Sequence, residues 1–573
     1  MILCLSGPKT PQDKEQPMEN QRALLYITLF FLMFLMWISW QQQNAPTPPV
    51  SSETQSAVSE VPDANNLPVQ DRPAAGSTSL PAATAEETTA GGQRIRVITD
   101  VLDLLIDSQG GDIRELALRE YPMSAQHMDK DFQLFSENPA NYFISQSGLV
   151  AVGEHNREKA PDHRAIFQAS ATEYRLGEGE AELHVPLTWQ QGGITVTKTY
   201  TFRRSDYVID LKHEITTDDE PWVGSQYTQL RRSPPHDDGS SAFIYTYTGG
   251  VIYTQAEKYE KITFDEIAEQ DLSRQAVGGW AAMIQHYFMA AWVPNQQDNN
   301  VIYSKHPVSN HYILGVVGSQ QTVAPGETGV FQSRLVVGPK LQDALETVID
   351  AQGNPVIGLE LTVDYGVLTV IAKPLFWLLS MFHSLLGNWG WAIIFVTILV
   401  KAVFYKLSET SYRSMAKMRK LAPRLQTLKE RYGDDRQRLS QAMMDMYKKE
   451  KINPLGGCLP MLVQIPVFIA LYWVLLESVE LRNAPFILWI DNLSEKDPFF
   501  ILPVIMGLTM FLQYRLNPAP LDPIQQKIFM YMPLIFTFFF AFFPSGLVLY
   551  WVVNNILSIA QQWLIIRRME TEK

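Results

Sequence analysis

The sequence predicts a membrane-embedded bundle of six transmembrane helices joined to a large all-β sandwich, and three observations carry that reading. Apolar residues are concentrated in uncharged blocks near the N-terminus and after Gly358. Between them, from about Arg94, apolar and polar residues alternate with period two. The net charge of the 573-residue chain is -13, yet basic residues cluster in one stretch, Lys401 to Lys451. A chain of this length is expected to form several domains. Its 19% of charged residues looks like a soluble protein only because the average hides the partition. Two cysteines, Cys4 and Cys458, cannot form a disulfide framework, and no CxxC or HExxH spacing supports a metal site.

The first block, Ala23–Trp40, is uncharged and ends in Trp37 and Trp40. It is long enough to cross about 30 Å of hydrocarbon, and tryptophan suits the interface. It exceeds a typical signal-peptide core, and Gln41-Gln42-Gln43 follows it instead of a small-x-small cleavage site, so a retained anchor is expected. Residues 1–22 precede it on the cytoplasmic side. Met18-Glu-Asn-Gln-Arg22 would make an ordinary start to an anchored protein, which points to a start at Met18. Residues 41–93 are rich in Pro, Ser, Thr and Ala, with Arg72 the only basic residue. Such a stretch buries too little apolar surface to offset its chain entropy and reads as a flexible exported linker.

Residues 94–358 read as the sandwich. In Ile194–Phe202, Ile194, Val196, Tyr200 and Phe202 share one face and four threonines the other, and Tyr207–Lys212 alternates likewise. Gly, Pro, Asp and Asn clusters cut the region into short strands, as in an antiparallel sandwich. The aromatic stretch Gly279-Trp280, Tyr287-Phe288 and Trp292-Val-Pro294 is expected to be a packed core edge rather than a ligand cleft.

Residues 359–388 form an amphipathic lead-in with Asp364, Lys373 and His383, expected as a helix lying in the interface. Five spans follow at 389–406, 456–476, 498–514, 528–543 and 546–566, and Phe543-Pro544-Ser545-Gly546 makes a tight turn between the last two. Lys406–Lys451 holds thirteen Lys or Arg against six Asp or Glu, whereas Glu480–Asp497 holds two against four. The Arg515–Lys527 loop and the 567–573 tail are again basic. Six spans alternate consistently if both termini and the basic stretch are cytoplasmic, which leaves the β domain outside.

Two features resist a bland reading. Lys401 ends a deep apolar run, and a cation at the bilayer centre costs about 2.5–3.5 kcal/mol on insertion scales, so it should face water or protein. Thr397, four residues earlier, shares its helix face. Lys401 can equally lie near the cytoplasmic end and snorkel to the headgroups, and hydropathy alone does not choose. The second feature is polar residues at helical spacing. Gln464 sits beside Pro466, and Tyr550, Asn554, Ser558 and Gln561 recur with Trp551, Asn555 and Gln562 alongside. Any one of these is ordinary helix–helix glue. Polar residues on three spans, together with a lysine, favour a shared wet cavity.

The basic stretch, residues 407–452, reads as a cytoplasmic helical hairpin. Met415, Met418, Leu421, Leu425, Leu428 and Tyr432 form one stripe, Gly433-Asp434-Asp435 turns the chain, and Leu439, Met443, Met446 and Tyr447 return. The stripes are expected to pack on each other. Methionine also suits an adaptable binding face, so Met415 and Met418 with Lys417, Arg419 and Lys420 are the candidate docking residues. Their charge fits anionic lipid or ribosomal RNA alike.

Asn453-Pro-Leu-Gly-Gly-Cys-Leu-Pro460, Gln464-Ile-Pro466, Ser414-Met-Ala-Lys-Met418 and Pro544-Ser-Gly-Leu-Val-Leu-Tyr550 closely resemble the YidC membrane protein insertases, relatives of the mitochondrial and chloroplast insertases. The resemblance runs from the Met18 anchor to Arg568, and the large outer domain resembles Gram-negative members, where it is a periplasmic β-super-sandwich. It implies a non-enzymatic insertase and chaperone of the cell inner membrane, with five spans forming a conserved core around a hydrophilic groove open to the cytoplasm. Its implied partners are nascent membrane proteins, lipid, the ribosome and the Sec translocon, with no DNA and no cofactor. The groove residues so implied are Lys401, Thr397, Gln464, Tyr550, Trp551 and Asn554, with a hydrophobic slide at Ile465, Phe468 and Met506. Many members carry arginine where this chain has Lys401; lysine keeps the charge but loses the bidentate fork.

Two other classes are weaker. A transporter should show paired half-helices or repeats, and none is found. A sugar-acting enzyme on the sandwich would need convergent carboxylates, but Asp206, Asp210 and Glu214 carry no recognisable signature.

Overall fold

The structure, a computed structural model, describes residues 92–124, 127–152, 160–234, 246–308, 310–433, 435–450, 459–517 and 523–571. The expected anchor, nearly all of the linker and residues 453–458 of the Asn453–Pro460 segment lie outside the described residues.

The β region forms two sheets of eleven and nine strands among the described residues. Pairing is antiparallel except where Arg94–Ile98 meets Glu173–Arg175. The period-two reading of Ile194–Arg203 holds: Ile194, Val196, Tyr200 and Phe202 are buried. This strand pairs with Val208–Thr217, which continues the sheet to Thr328–Pro339. Leu211, Ile215 and Phe331 from this sheet meet Trp222 and Leu230 from the other in the sandwich core. Each large side chain so buried contributes about 1.5–3 kcal/mol. Lys198, like His213 on the paired strand, is a polar exception on the inward face. Fully buried, it donates to the carbonyls of Gly110 (2.8 Å) and Ser147 (3.1 Å) and lies over the Tyr200 ring. Burial pushes its pKa down to about 8, with Asp112 opposing.

The outer face of the nine-stranded sheet is buried too. Val251, Trp280, Ala282, Ile284, Met289 and Ala291 share one continuous core with the C-terminal helices. Trp280–Ile284 and Phe288–Val293 are therefore buried along their whole length. The aromatic stretch is core on both sides: Phe288 and Trp292 face the sandwich, while Trp280 faces the helices and donates to the Ile357 carbonyl at 3.1 Å.

The helices after the β region are α1 (Thr369–Leu386), α2 (Trp389–Val403), α3 (Tyr405–Tyr432), α4 (Arg436–Lys449), α5 (Leu459–Glu477), α6 (Ile501–Leu516), α7 (Pro523–Phe540) and α8 (Ser545–Thr571). The Asn388 side chain caps α2 by accepting from Trp391 N, and Pro523 opens α7 at a position where its missing N–H costs nothing. The span expected at 389–406 stops at Val403 because the chain bends by 68° into α3. The last span runs on through the expected tail to Thr571. At ~1.5 Å per residue, α2 and α6 reach only about 23 Å, short of the ~30 Å hydrocarbon thickness. Gly366–Leu386, expected to lie in the interface, is by length and composition apolar enough to cross a membrane, as is Ser545–Met569. The charges of the lead-in turn to the β domain: Asp364 meets Lys261 at 2.6 Å and Lys373 meets Glu346 at 3.0 Å.

Candidate substrate groove

The bend between α2 and α3 brings their polar residues beside α8. The Lys401 side chain is buried (7% exposed), and its ammonium donates to Ser558 Oγ at 2.8 Å. Ser558 in turn donates to the Asn554 carbonyl at 2.7 Å, and Gln464 Nε2 donates to Asn554 Oδ1 at 3.2 Å. One hydrogen-bonded row thus links α2, α8 and α5. Asn554 and Gln464 are half-buried, so the row reaches a surface instead of closing inside the bundle. Among the described residues Lys401 forms this one hydrogen bond and no ion pair. An ammonium has three donors, so two remain for water or an incoming carboxylate.

The other expected groove residues divide. Thr397 is buried and satisfied within its own helix, donating to Ile393 O at 2.6 Å, so it lines up with Lys401 without offering its hydroxyl. Tyr550 and Trp551 pack against Phe468 at 6.1 and 4.6 Å between ring centres, forming an aromatic wall above the polar row. Phe468 and the 41%-exposed Ile465 are open enough to touch an apolar segment. Met506 is not: it is fully buried between helices and offers no face to a slide.

Ser558, outside the expected groove set, is the direct partner of Lys401. The buried Ser408, Ser411 and Tyr412 at the start of α3 were also not singled out by sequence reasoning, which placed them only within the 407–452 hairpin. Their spacing on one helix face was the available signal. The polar residues of α8 serve two surfaces. Gln561 reaches the Tyr405 carbonyl at 3.3 Å, but Asn555 bonds Thr509 at 3.2 Å and Gln562 bonds the Leu516 carbonyl at 3.3 Å, both on α6. The latter two are glue for α6 and α8, away from the row.

In the hairpin, Leu421 and Leu425 are buried with Met418, Met443, Met446 and Tyr447 packed around them. Met418 is thereby used in holding α3 to α4. Lys417, Arg419 and Lys420 are exposed and Met415 is half-buried. In the sandwich, Asp210 is held by Arg203 and Arg334, Glu214 by Lys212, and Asp206 caps Val208 N, so these acids do not converge on a cleft. No His, Cys, Asp and Glu group placed to hold a metal occurs among the described residues.

Residues 94–378 match the family model described as the YidC periplasmic domain, and residues 381–572 match the 60Kd inner membrane protein model. The chain is 52% identical to the membrane protein insertase YidC of Thioalkalivibrio sulfidiphilus over 96% of this chain and 99% of that one. The chain belongs to the YidC family. Its identity to the insertase of Methylococcus capsulatus is 51%, again over 96% of this chain and 99% of the relative. A crystal structure of an active YidC insertase with its first transmembrane domain resolved covers 82% of this chain and 92% of that chain, at 18% identity and a TM-score of 0.35. Family membership makes the β region a YidC periplasmic domain and the helical region the inner-membrane part.

Proposed function

We propose that this chain inserts other membrane proteins into the inner membrane, with the row around Lys401 receiving the hydrophilic segment of the incoming chain. The observation that carries the reading is a buried lysine with spare donors and no acidic partner among the described residues, bound to a half-open amide row. Full-length relatives named as insertases support it. In this mechanism the row supplies polar partners part-way through the bilayer, which shortens the apolar distance a polar tail must cross. Ile465 and Phe468 meet the apolar helix that follows. Burial of that helix, at about 0.8 kcal/mol per CH₂, supplies the free energy without a nucleotide. An inside-negative potential adds about 2.3 kcal/mol per acidic charge per 100 mV.

With both termini and the hairpin cytoplasmic, Lys417, Arg419 and Lys420 meet a ribosome or anionic lipid, and larger substrates arrive through the Sec translocon. Purified protein in liposomes, given a short single-span substrate with an acidic tail, is expected to translocate the tail. Translocation no better than in empty liposomes would overturn the reading.

A further inference from the structure

We infer that the loop between α5 and α6 carries two apolar tips that insert into the lipid leaflet on the β-domain side, at the level of the headgroups and upper acyl chains. The first tip is the turn Phe486–Ile490, closed by Phe486 N donating to Ile490 O at 2.9 Å and Ile490 N to Ile487 O at 3.2 Å. Leu488, at its apex, has φ +58° and is 82% exposed. The left-handed region strains any residue with a Cβ, and Gly or Asn is its usual occupant. The second tip is the turn Pro498-Phe499-Phe500 entering α6. Phe500 also has positive φ, +56°, and Phe499 is 66% exposed. Turns in water carry Gly, Asn, Asp or Ser for good local reasons. Two turns that combine strained backbone with exposed Leu and Phe lack those reasons, and removal of the side chains from water supplies one.

A single carboxylate joins the tips. Asp497 is 1% exposed; its Oδ1 accepts from Trp489 Nε1 (3.1 Å) and Phe499 N (3.0 Å), and its Oδ2 from Leu502 N (2.7 Å). It therefore fixes the indole of the first tip, the backbone of the second and the first turn of α6 together. Such charge-assisted bonds are among the stronger ones.

What covers the tips follows from what they continue. The second tip runs directly into the exposed apolar face of α6, Val504 and Leu508. The first reaches α2, where Phe486 meets Trp391 edge-to-face at 5.6 Å, and the exposed face of α2 goes on through Phe395 and Ile398. Both tips thus extend the outer surfaces of apolar helices of an inner-membrane protein at one end. Trp391 and Trp489 lie there, at the level where tryptophan concentrates in membranes. The loop's exposed charges, Asp491, Glu495 and Lys496, fall between the tips and not on them.

The test uses the full-length protein with Cys4 and Cys458 replaced by serine, in phosphatidylcholine–phosphatidylglycerol vesicles. Single cysteines from Leu488→Cys and Phe499→Cys carry an environment-sensitive fluorophore; Leu508→Cys serves as the lipid control and Glu495→Cys as the aqueous control. Labels at 488 and 499 are expected to be quenched by lipids brominated high on the acyl chain, as at 508, and to lose the iodide quenching seen at 495. Iodide quenching equal to that at 495 without bromolipid quenching overturns the proposal. Protection from iodide that disappears on dilution into more lipid, again without bromolipid quenching, means that a second copy covers the tips and overturns it as well. In an Asp497→Asn background, iodide access should rise at both tips while 508 stays protected; a rise at neither would overturn the role of Asp497.

Discussion

Lys340, at the end of the sandwich, and Glu477, at the end of α5, meet at 3.2 Å with both side chains buried, although 137 positions separate them in sequence. Lys340 also reaches the Thr362 carbonyl at 3.3 Å. Around the pair, His286 Nε2 donates to the Leu476 carbonyl at 2.9 Å. Arg482 donates to the Met123 carbonyl at 2.8 Å and lies against the rings of Phe132 and Phe288. The β domain is thus docked by polar contacts onto the helix whose other half carries Gln464. Rejoining the first anchor near Gly358 to remove the domain would strip Glu477 of its partner.

Removing one member of a buried pair leaves an uncompensated charge and costs about 3–5 kcal/mol, whereas replacing both by apolar residues is often neutral. Lys340→Met is therefore expected to lower the thermal unfolding temperature in detergent by several degrees, and Lys340→Met with Glu477→Leu to restore it. A β-domain deletion should likewise insert substrates well when it carries Glu477→Gln and poorly when it does not. Equal stability of the single and double Lys340 variants would remove the ion pair from this account.

His286 gives the junction a pH dependence. Burial, with repulsion from Lys340, pushes its pKa down to about 3 despite the bond to the Leu476 carbonyl. The unfolded chain takes up a proton as pH falls through about 6.5, while the folded protein does so only near 3. The unfolded state then binds more protons across that window, so stability is complete above it and is lost as pH falls. His286→Gln keeps the donor without titrating. Unfolding temperatures measured from about pH 7 down to about pH 4 should fall less steeply in this variant. Parallel curves would show that other groups set the acid limb.

Much of this architecture was legible because period and composition report burial. Ile194–Arg203 announces one buried face, and the Met and Leu stripe of the hairpin announces its partner helix. The docking of the domain was less legible. Trp280–Ile284 is an unbroken apolar run, the mark of a strand buried on both faces, but a run cannot name what covers it. Lys401 stood out through the cost of a charge in an apolar block. Ser558 was visible only as one of a polar series on α8; that it, and not a neighbour, meets Lys401 was not, because which of those residues faces α2 depends on packing from several helices. Asp497 was counted only as a loop charge, since three donors converging on one carboxylate leave no pattern along the chain.

The hairpin separates structural from docking residues. Leu421 and Leu425 hold α3 to α4, while Lys417, Arg419 and Lys420 are exposed. Reversing these three charges to glutamate should leave the helical content unchanged and lower co-translational insertion by up to about a hundredfold, because each basic contact at an anionic surface is worth about 1 kcal/mol. Leu425→Asp should instead unfold the hairpin. Normal insertion by the triple charge reversal, in protein at normal abundance, would leave the hairpin a purely structural role.

The sharpest prediction concerns Lys401. Its ammonium has Ser558 as a partner and two donors to spare, so substrates with acidic translocated tails should depend on it most. Lys401→Arg keeps the charge and is expected to insert nearly normally, although the larger guanidinium must re-pack against Ser558. Lys401→Ala removes a charge-assisted contact worth about 1.5–3 kcal/mol, roughly a ten- to hundredfold change if the contact is made only during passage. Lys401→Glu should do worse still for acidic tails and little more than alanine for neutral ones. A lysine that merely snorkelled to the headgroups would behave otherwise: alanine would be nearly neutral, and glutamate would disturb every substrate alike. Ser558→Ala tests the row from the other side, since it frees Lys401 while removing its anchor, and should shift insertion by less than Lys401→Ala. Photocrosslinking during synthesis provides the spatial check, with adducts to a nascent chain expected at Lys401, Gln464 and Trp551 and none at Met506, which is sealed in the core. Equal insertion of acidic and neutral tails by Lys401→Glu would eliminate charge capture from the mechanism and leave the apolar wall of Phe468 and Trp551 to account for insertion.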